Sequence, residues 1–509
     1  MTIEELRVVR DALAAGLEID LSVWQAQYQR ALAACGADVI LAKGDLSGIQ
    51  SYLYNVNNAE DIGGGVAKRL RGRSFYLSAI CHALADELVK GEYGLSDRPE
   101  DHVLLTAGGN FLLVLPARDG LDETLRQWHE RVQHWLWQET WGELALVLAW
   151  QACSRLTLEE DYATVALALQ EKLDEAKLQK YLPLLQHGWQ SAAAEVSGHD
   201  DIGWHTFPKY QSDYVDECHS CRRLPAQVIP EDAMYSDEER LRRQNLCRVC
   251  WESERWGGML KLPQRNKLDF FPGHSDKLDA INFHQTHAVL RETSELLPQL
   301  AAFVPQWPFN GFAAPSPGVS LANDKLERLC RACAVEQTKP GDCAKYDARL
   351  VTRFHCLATA AAQQGQGAAK IAVLAADGDE FSYHLNGTPG LTLNDQVMLG
   401  KLIYEFFSRR LCQLLERHNG LLIYAGGDDF VTVGPWADVI HVANQMRQDF
   451  AEWTNGKLHF SAGIYVTNPH EPVYECVGTA QDYLAEAKRE PGKNAVQIAS
   501  TRIPWARFM

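Results

Sequence analysis

Three acidic residues and two glycines in the C-terminal part of the chain have the types and spacing needed to hold divalent metal ions. LLIYAGGDDFVTVGP (421–435) sets Gly426, Gly427, Asp428 and Asp429 between two apolar runs, which reads as a β-hairpin whose tight turn carries adjacent carboxylates. IAVLAAD (371–377) is another apolar run, ending on Asp377. Clustered carboxylates raise one another's pKa unless a cation neutralises them, and hard oxygen donors select Mg2+ or Mn2+. Two such ions ~4 Å apart can activate a ribose hydroxyl, clamp an α-phosphate and steady a pyrophosphate leaving group. That is phosphoryl transfer driven by positioning and electrostatics.

The surrounding residues fit the same chemistry. Gly426 and Gly427 lack a Cβ and would let the backbone approach a triphosphate. Lys488 and Lys493, in AKREPGKN, are placed to neutralise phosphate oxygens. Each feature alone has an ordinary reading, since Gly and Asp favour turns and lysines offset helix dipoles. Asp379 either touches a metal or faces solvent. The four residues Cys218, Cys221, Cys247 and Cys250 form two Cys-x-x-Cys pairs and supply a tetrahedral set of thiolates for Zn2+. A site that uses four protein ligands leaves no open position, so its expected role is structural. Cys330, Cys333 and Cys343, with His355 and Cys356 nearby, are spaced irregularly and read as core.

The elements that must position these residues occur twice. DVILAKGD (38–45) ends on Asp45 as 371–377 ends on Asp377, and VLLTAGGNFLLVLP (103–116) parallels 421–435. LALVLAWQACS (144–154) parallels KLHFSAGIYVT (457–467), and the helix with Asp174-Glu175-Ala176-Lys177 parallels the one with Ala485-Glu486-Ala487-Lys488. By this alignment Asn110 stands in the place of Asp428 and Phe111 in that of Asp429, so only the second copy presents two turn carboxylates.

Composition bounds the rest. The chain has 509 residues, 46% of them apolar, so several structural units are expected. No apolar run reaches the length of a membrane span and the start is acidic, so neither insertion nor secretion is indicated. Thirteen cysteines, an odd number, fit a reducing cytoplasm with a metal site better than a disulfide framework. A net charge of −17 disfavours non-specific coating of nucleic acid. Any such contact must be local, at Lys68, Arg69, Arg71 and Arg73 or at Arg242, Arg243 and Arg248, each of which also reads as a solvated helix face.

The motifs GDLSGIQSYLYNV (44–56), GGGVAKRLRGRSFYLS (63–78), AGGNF, the paired Cys-x-x-Cys, IAVLAADGDEF (371–381), YAGGDDFVTVGPW (424–436), SAGIYV (461–466) and AEAKREPGKN (485–494) together resemble the large palm-cyclase subunit of type III CRISPR effector complexes, in its Csm-type branch. The resemblance implies an α+β fold: two ferredoxin-like palm domains related by duplication, with an inserted zinc module and a helical connector. It also implies that the palms hold two ATP molecules and convert them to cyclic oligoadenylate second messengers when crRNA and target RNA are bound with the other type III subunits. By motif position Asp377, Asp428 and Asp429 would bind metal and catalyse. Gly426, Gly427, Ser461, Lys488 and Lys493 would contact nucleotide. Ser47 and Gly48 either touch the second nucleotide or only form a turn.

The expected organisation is a helical lead over 1–35, a degenerate palm over 36–205, the zinc module over 206–265, a mainly helical connector over 266–365 and the catalytic palm over 366–509. Many members of that family begin with a nuclease domain built on a His-Asp pair. Here residues 1–35 precede the first strand and His199-Asp200 sits in a loop-like stretch, so no DNA cleavage is expected. Members also continue past the second palm, whereas this chain ends at Met509, a departure that bears on assembly. Two other readings stay open: a non-catalytic scaffold that anchors crRNA, and a stand-alone cyclase making a different nucleotide signal.

Overall fold

The structure is a computed structural model that describes residues 1–56, 65–95, 97–182, 217–224, 226, 245–259, 265–275, 280–292, 354–363, 367–418 and 420–508. His199-Asp200, Arg242, Arg243, Cys330, Cys333, Cys343 and the Pro-rich stretch 303–318 lie outside the described residues.

Two helices open the chain. α1 (Ile3–Leu17) starts at a capping box in which the Thr2 hydroxyl and the Glu5 carboxylate satisfy reciprocal backbone N–H groups. α2 (Leu21–Cys35) is capped by Asp20. The first sheet is antiparallel, in the order β2-β3-β1-β4, from β1 (Asp38–Ser47), β2 (Val103–Ala107), β3 (Asn110–Pro116) and β4 (Ala145–Ser154). Its helices are α3 (Ile49–Tyr54), α4 (Gly65–Glu87), α5 (Leu121–Thr140), α6 (Arg155–Glu160) and α7 (Tyr162–Leu178).

Next come α8 (Arg248–Met259), beside the cysteine pairs, and a three-stranded antiparallel sheet of β5 (Arg265–Pro272), β6 (Ala280–Asn282) and β7 (Thr286–Glu292). This sheet fills most of the described part of 266–365, where a mainly helical connector was expected; only α9 (Phe354–Gln363) is helical there. Paired alternating segments such as 286–292 find a ladder partner, which outweighs their local helical tolerance.

The last sheet has the order β13-β12-β11-β8-β10-β9, from β8 (Ile371–Gly378), β9 (Leu421–Gly426), β10 (Asp429–Pro435), β11 (Phe460–Thr467), β12 (Ala495–Ile498) and β13 (Thr501–Pro504). Its core order β9-β10-β8-β11 repeats β2-β3-β1-β4. The helices are α10 (Phe381–Gly387), α11 (Leu393–Glu405), α12 (Leu411–Arg417), α13 (Trp436–Trp453) and α14 (Val473–Ala487). A π-helical turn extends α4 over Leu88–Glu92 and α11 over Phe406–Arg410, so even this irregularity is duplicated.

Helices on one face of each sheet would leave alternating polar positions, yet β8 is buried at six consecutive residues. Both faces of each sheet are covered, which is why its central strands read as continuous apolar runs. Ile40 and Ala42 enter one core with α3, α4 and α14, while Val39 and Leu41 enter another with α1, α2, α11 and α13. Each core draws residues from both sheets, so the two halves pack as one body.

Candidate active site at the acidic turn

The apolar stretch of β8 stops at Asp377, the first residue of the strand with solvent exposure. Backbone pairing sets Asp377 opposite Asp429 on one side and opposite Ser461 on the other. β9 and β10 are joined by the two-residue turn Gly427-Asp428, in which Gly427 takes a left-handed φ of 53°. The Gly378 N–H donates to the Asp428 carbonyl at 3.0 Å, tying this turn to the end of β8. All three aspartates are thus brought to one corner of the sheet.

The electrostatics of the corner are unbalanced. Burial, then the neighbouring Asp377, pushes the Asp428 carboxyl up to about 6. Burial, then Asp428 and Asp377, holds the Asp429 carboxyl well above its ordinary range. One cation is close: the Lys488 ammonium, at the end of α14, donates to Asp377 and to the Gly378 carbonyl. Among the described residues only the four cysteines bring three or more ligand atoms within 4.8 Å of one another, so the aspartate oxygens are more widely spread, with Asp377 held by Lys488. The donor set still fits divalent cations, because burial and mutual repulsion raise both carboxyls and a bound cation relieves that repulsion. A cleft of about 190 Å³ opens beside the turn, lined by Asn110, Gly427, Asp428, Lys43, Gln170 and Gln396 among others.

Several expected nucleotide contacts have other work here. Ser461 is fully buried and its hydroxyl donates to the Asp379 carboxylate at 2.9 and 3.0 Å, so it braces the site from behind. Asp379 neither reaches the turn nor faces solvent: it is buried and also accepts from the Asn494 N–H at 2.9 Å. Lys493 pairs with Glu380 at 3.5 Å. Lys488, Lys493 and Asn494 of one motif thus grip the four consecutive positions 377–380, at the end of β8 and just beyond it.

Gly426 and Gly427 also answer to constraints of the fold. A methyl group on Gly426 would lie 1.9 Å from the Tyr424 hydroxyl and 2.8 Å from the Gly108 Cα, while Gly427 needs its left-handed φ. A methyl on Gly108 would in turn stand 2.8 Å from the backbone of Gly426 and Gly427, so the two hairpin turns abut. In the first half, Ser47 accepts from the Lys180 ammonium at 3.1 Å, and a methyl on Gly48 would strike the Glu143 carbonyl.

Register corrects the alignment of the two copies. Asn110 pairs with Asp45 and Ala107 as Asp429 pairs with Asp377 and Gly426, so Asn110 is the counterpart of Asp429, and Gly109 that of Asp428. Phe111 matches Phe430 in the core. Reading Gly-Gly against Gly-Gly misplaced the copies by one residue, because the first turn is Gly-Gly and the second is Gly-Asp. The helix alignment holds: Lys177 pairs with Asp45 at 2.7 Å as Lys488 pairs with Asp377. Residues the sequence reading passed over are Tyr54 and Tyr424, phenols that burial, and then the Asp429 charge, push well above their ordinary range. Tyr54 stands in the SYLY run, but nothing in spacing points it at a turn far along the chain.

Cys218, Cys221, Cys247 and Cys250 are all buried and converge, with Cys221 and Cys247 Sγ atoms 3.8 Å apart. A tetrahedron with Zn–S bonds of ≈ 2.3 Å has S–S edges of about 3.8 Å, so the residues fit zinc. Arg69 and Arg73, expected as a basic surface, are buried: Arg69 pairs with Glu254 at 2.8 Å and Arg73 meets Cys250. Arg248 is bonded to Glu139 at 2.9 Å. For Arg69 and Arg73 the nucleic-acid reading fails, because helix spacing alone does not tell which face a neighbouring element covers.

Paired sheets of one strand order, with an acidic turn on one and its stripped counterpart on the other, define a tandem-palm protein. A family model for the second palm domain of Cas10/Cmr2 matches residues 370–497, and one for domain B of the Csm1 subunit matches 38–188. The "CRISPR system single-strand-specific deoxyribonuclease Cas10/Csm1 (subtype III-A)" of Streptococcus thermophilus is 25% identical over 91% of this chain and 54% of its own length. Its Mycobacterium tuberculosis counterpart is 24% identical over 90% of this chain and 54% of its own length. The chain belongs to the Cas10/Csm1 family of type III CRISPR subunits. It spans about half the length of these relatives. In fold it is similar to Csm1 in the crystal structure of a Csm1–Csm4 cassette with AMPPNP, at a TM-score of 0.60 and 17% identity over 95% of this chain and 59% of that one. A Csm1–Csm4 cassette with cA4 gives a TM-score of 0.57 at 16% identity over 92% of this chain and 57% of that one. No helix among the described residues is long and apolar enough to cross a membrane.

Proposed function

We propose that this chain is a nucleotidyltransferase that joins ATP-derived units into cyclic oligoadenylates by two-metal phosphoryl transfer at the Gly426–Asp429 turn. The observation that carries this reading is the charge imbalance at Asp428 and Asp429, two buried carboxyls with raised pKa beside Asp377. Mg2+ or Mn2+ held by Asp377, Asp428 and Asp429 would supply Lewis-acid activation of the attacking hydroxyl and of the phosphate. The chain's own part is to gather those carboxylates and to keep Lys488 within reach. Lys488 would leave Asp377 as metal arrives and turn its charge to phosphate oxygens. Gly427 keeps the backbone low at the turn, Asp379 and Ser461 hold the loop after β8, and Zn2+ in the four cysteines has a structural role.

Related Csm1 proteins described in cassettes with Csm4 and AMPPNP, pppApA, cA3 or cA4 support a nucleotide substrate and a Csm4-like partner. On this reading the chain acts in the cytoplasm with crRNA, target RNA and the other type III subunits. The test is pyrophosphate release from ATP with Mn2+, assayed with and without crRNA partners and target RNA, for the natural chain and for Asp428→Ala/Asp429→Ala. Release that the double variant abolishes is the expected result; silence under every condition overturns the reading.

A further inference from the structure

The four-cysteine cluster sits against the first sheet's helices, and one side chain joins them. Arg73, on α4, is fully buried. One guanidinium N–H2 group donates to Cys250 Sγ at 3.2 Å, and the other donates to the Tyr52 carbonyl in α3. The guanidinium carbon lies 5.2 Å from the Tyr52 ring centre. Tyr52 is in the last turn of α3, whose carbonyls have no partner within so short a helix, and a cation there satisfies both the hydrogen bond and the helix dipole.

A second strut runs beside the first. Arg223, just beyond Cys221, donates to the Ser51 hydroxyl at 3.1 Å and pairs with Glu143 at 3.3 Å, and Glu143 accepts from Asn55, the C-cap of α3, at 3.1 Å. α4 cannot drift from the cluster: a methyl on Gly72 would strike the Ser253 carbonyl of α8. At its first residue α3 carries Ile49, whose side chain a methyl on Gly109 would strike, and that β2–β3 turn is the one that abuts the acidic turn.

The charges explain why a buried arginine is tolerated here. Zinc in four thiolates leaves a net negative charge inside the protein, and a buried ion without a partner is strongly destabilising. Groups beyond the ligands commonly orient and tune them.

We propose that Arg73 is a positioning residue that couples the metal state of the cysteine cluster to α3 and, through Ile49 and the β2–β3 turn, to the acidic turn. The coupling to α3 stands on the geometry alone; its consequence for nucleotide rests on the function proposed above.

The experiment uses the full chain purified with zinc, together with Arg73→Met and Arg73→Lys. Zinc release to a colorimetric chelator, amide hydrogen exchange over residues 49–56, and binding of a non-hydrolysable ATP analogue with Mn2+ are measured on each. Arg73→Met should release zinc roughly 10–100-fold faster, with Arg73→Lys in between. Exchange over 49–56 should rise about tenfold or more in Arg73→Met and, independently of any variant, in the natural chain stripped of zinc, while β8 and β10 keep their protection. Analogue binding should weaken in parallel. The proposal is overturned if stripping zinc leaves 49–56 unchanged, if exchange rises across the whole chain, or if Arg73→Met and Arg73→Lys both hold zinc as firmly as the natural protein. Should Arg73→Met not fold, the stripped natural chain and Arg73→Lys decide the matter. Failure of the natural chain to bind the analogue at all would sink the proposed function and leave the exchange result to stand or fall by itself.

Discussion

Asp428 is the residue at which stability and metal binding oppose one another. Its folded pKa of about 6 lies above the ordinary carboxylate value, so its favourable contribution is present when it is protonated and is lost as pH rises through about 6. Above that pH the metal-free protein carries a buried, repelled charge whose cost is on the order of 2 kcal/mol. Asp428→Asn is therefore expected to raise the melting temperature of the metal-free protein at pH 8 and to erase the further rise that Mn2+ gives the natural chain. In the natural chain that rise should be full above pH 7 and shrink below pH 6; calorimetry across pH with and without Mn2+ checks both. The convergence of the three aspartates was legible in the sequence because Asp377 ends one apolar run and Asp428 and Asp429 interrupt another. The place of Ser461, Asp379 and Arg73 was not, since serine, aspartate and arginine read alike whether buried or exposed until a facing element covers them.

Two elements decide the geometry of the corner: the β2–β3 turn and the β9–β10 turn, which touch through glycine backbone. Gly108→Ala adds a methyl 2.8 Å from Gly426 and Gly427 at a left-handed φ of 58°. It should cost about 2 kcal/mol and displace the acidic turn without touching a carboxylate. Manganese affinity, followed by titration, is expected to fall while far-UV circular dichroism stays unchanged. α1 is fixed to α11 by a different device, the buried Asp395 carboxylate clasped by Arg7 at 2.9 Å and Arg10 at 2.8 Å. Burial would raise that carboxyl, but the hydrogen bonds of Arg7 and Thr392 outweigh it and bring it below the ordinary value. A depressed carboxyl stabilises above its unfolded pKa and ceases to do so as pH falls through its folded one. Asp395→Asn should lose about 2 kcal/mol at pH 7 in urea unfolding, and the difference should close as pH drops below about 4. The strands and most helices were readable because their apolar runs are long. The one-residue offset between the hairpins was not, because a Gly-Gly pair marks a turn without saying which of its residues begins the next strand.

At the scale of the whole molecule, each apolar core is assembled from both sheets, so neither half has a complete interior of its own. The described residues should therefore unfold in one cooperative transition, with circular dichroism and tryptophan fluorescence giving coincident melting curves, and residues 366–509 expressed alone should be insoluble. Two resolved transitions would contradict this. Duplication was the most legible large-scale feature, because it needs only self-comparison. The covering of both sheet faces, and the small sheet β5-β7-β6, depend on partners distant in sequence and could not be read locally. The matched sheets also mean that the chain is its own partner. Where separate subunits would drift apart on dilution and lose their shared seam, a peptide tether keeps the meeting of the hairpins at a fixed effective concentration, so that seam should hold from micromolar down to picomolar protein.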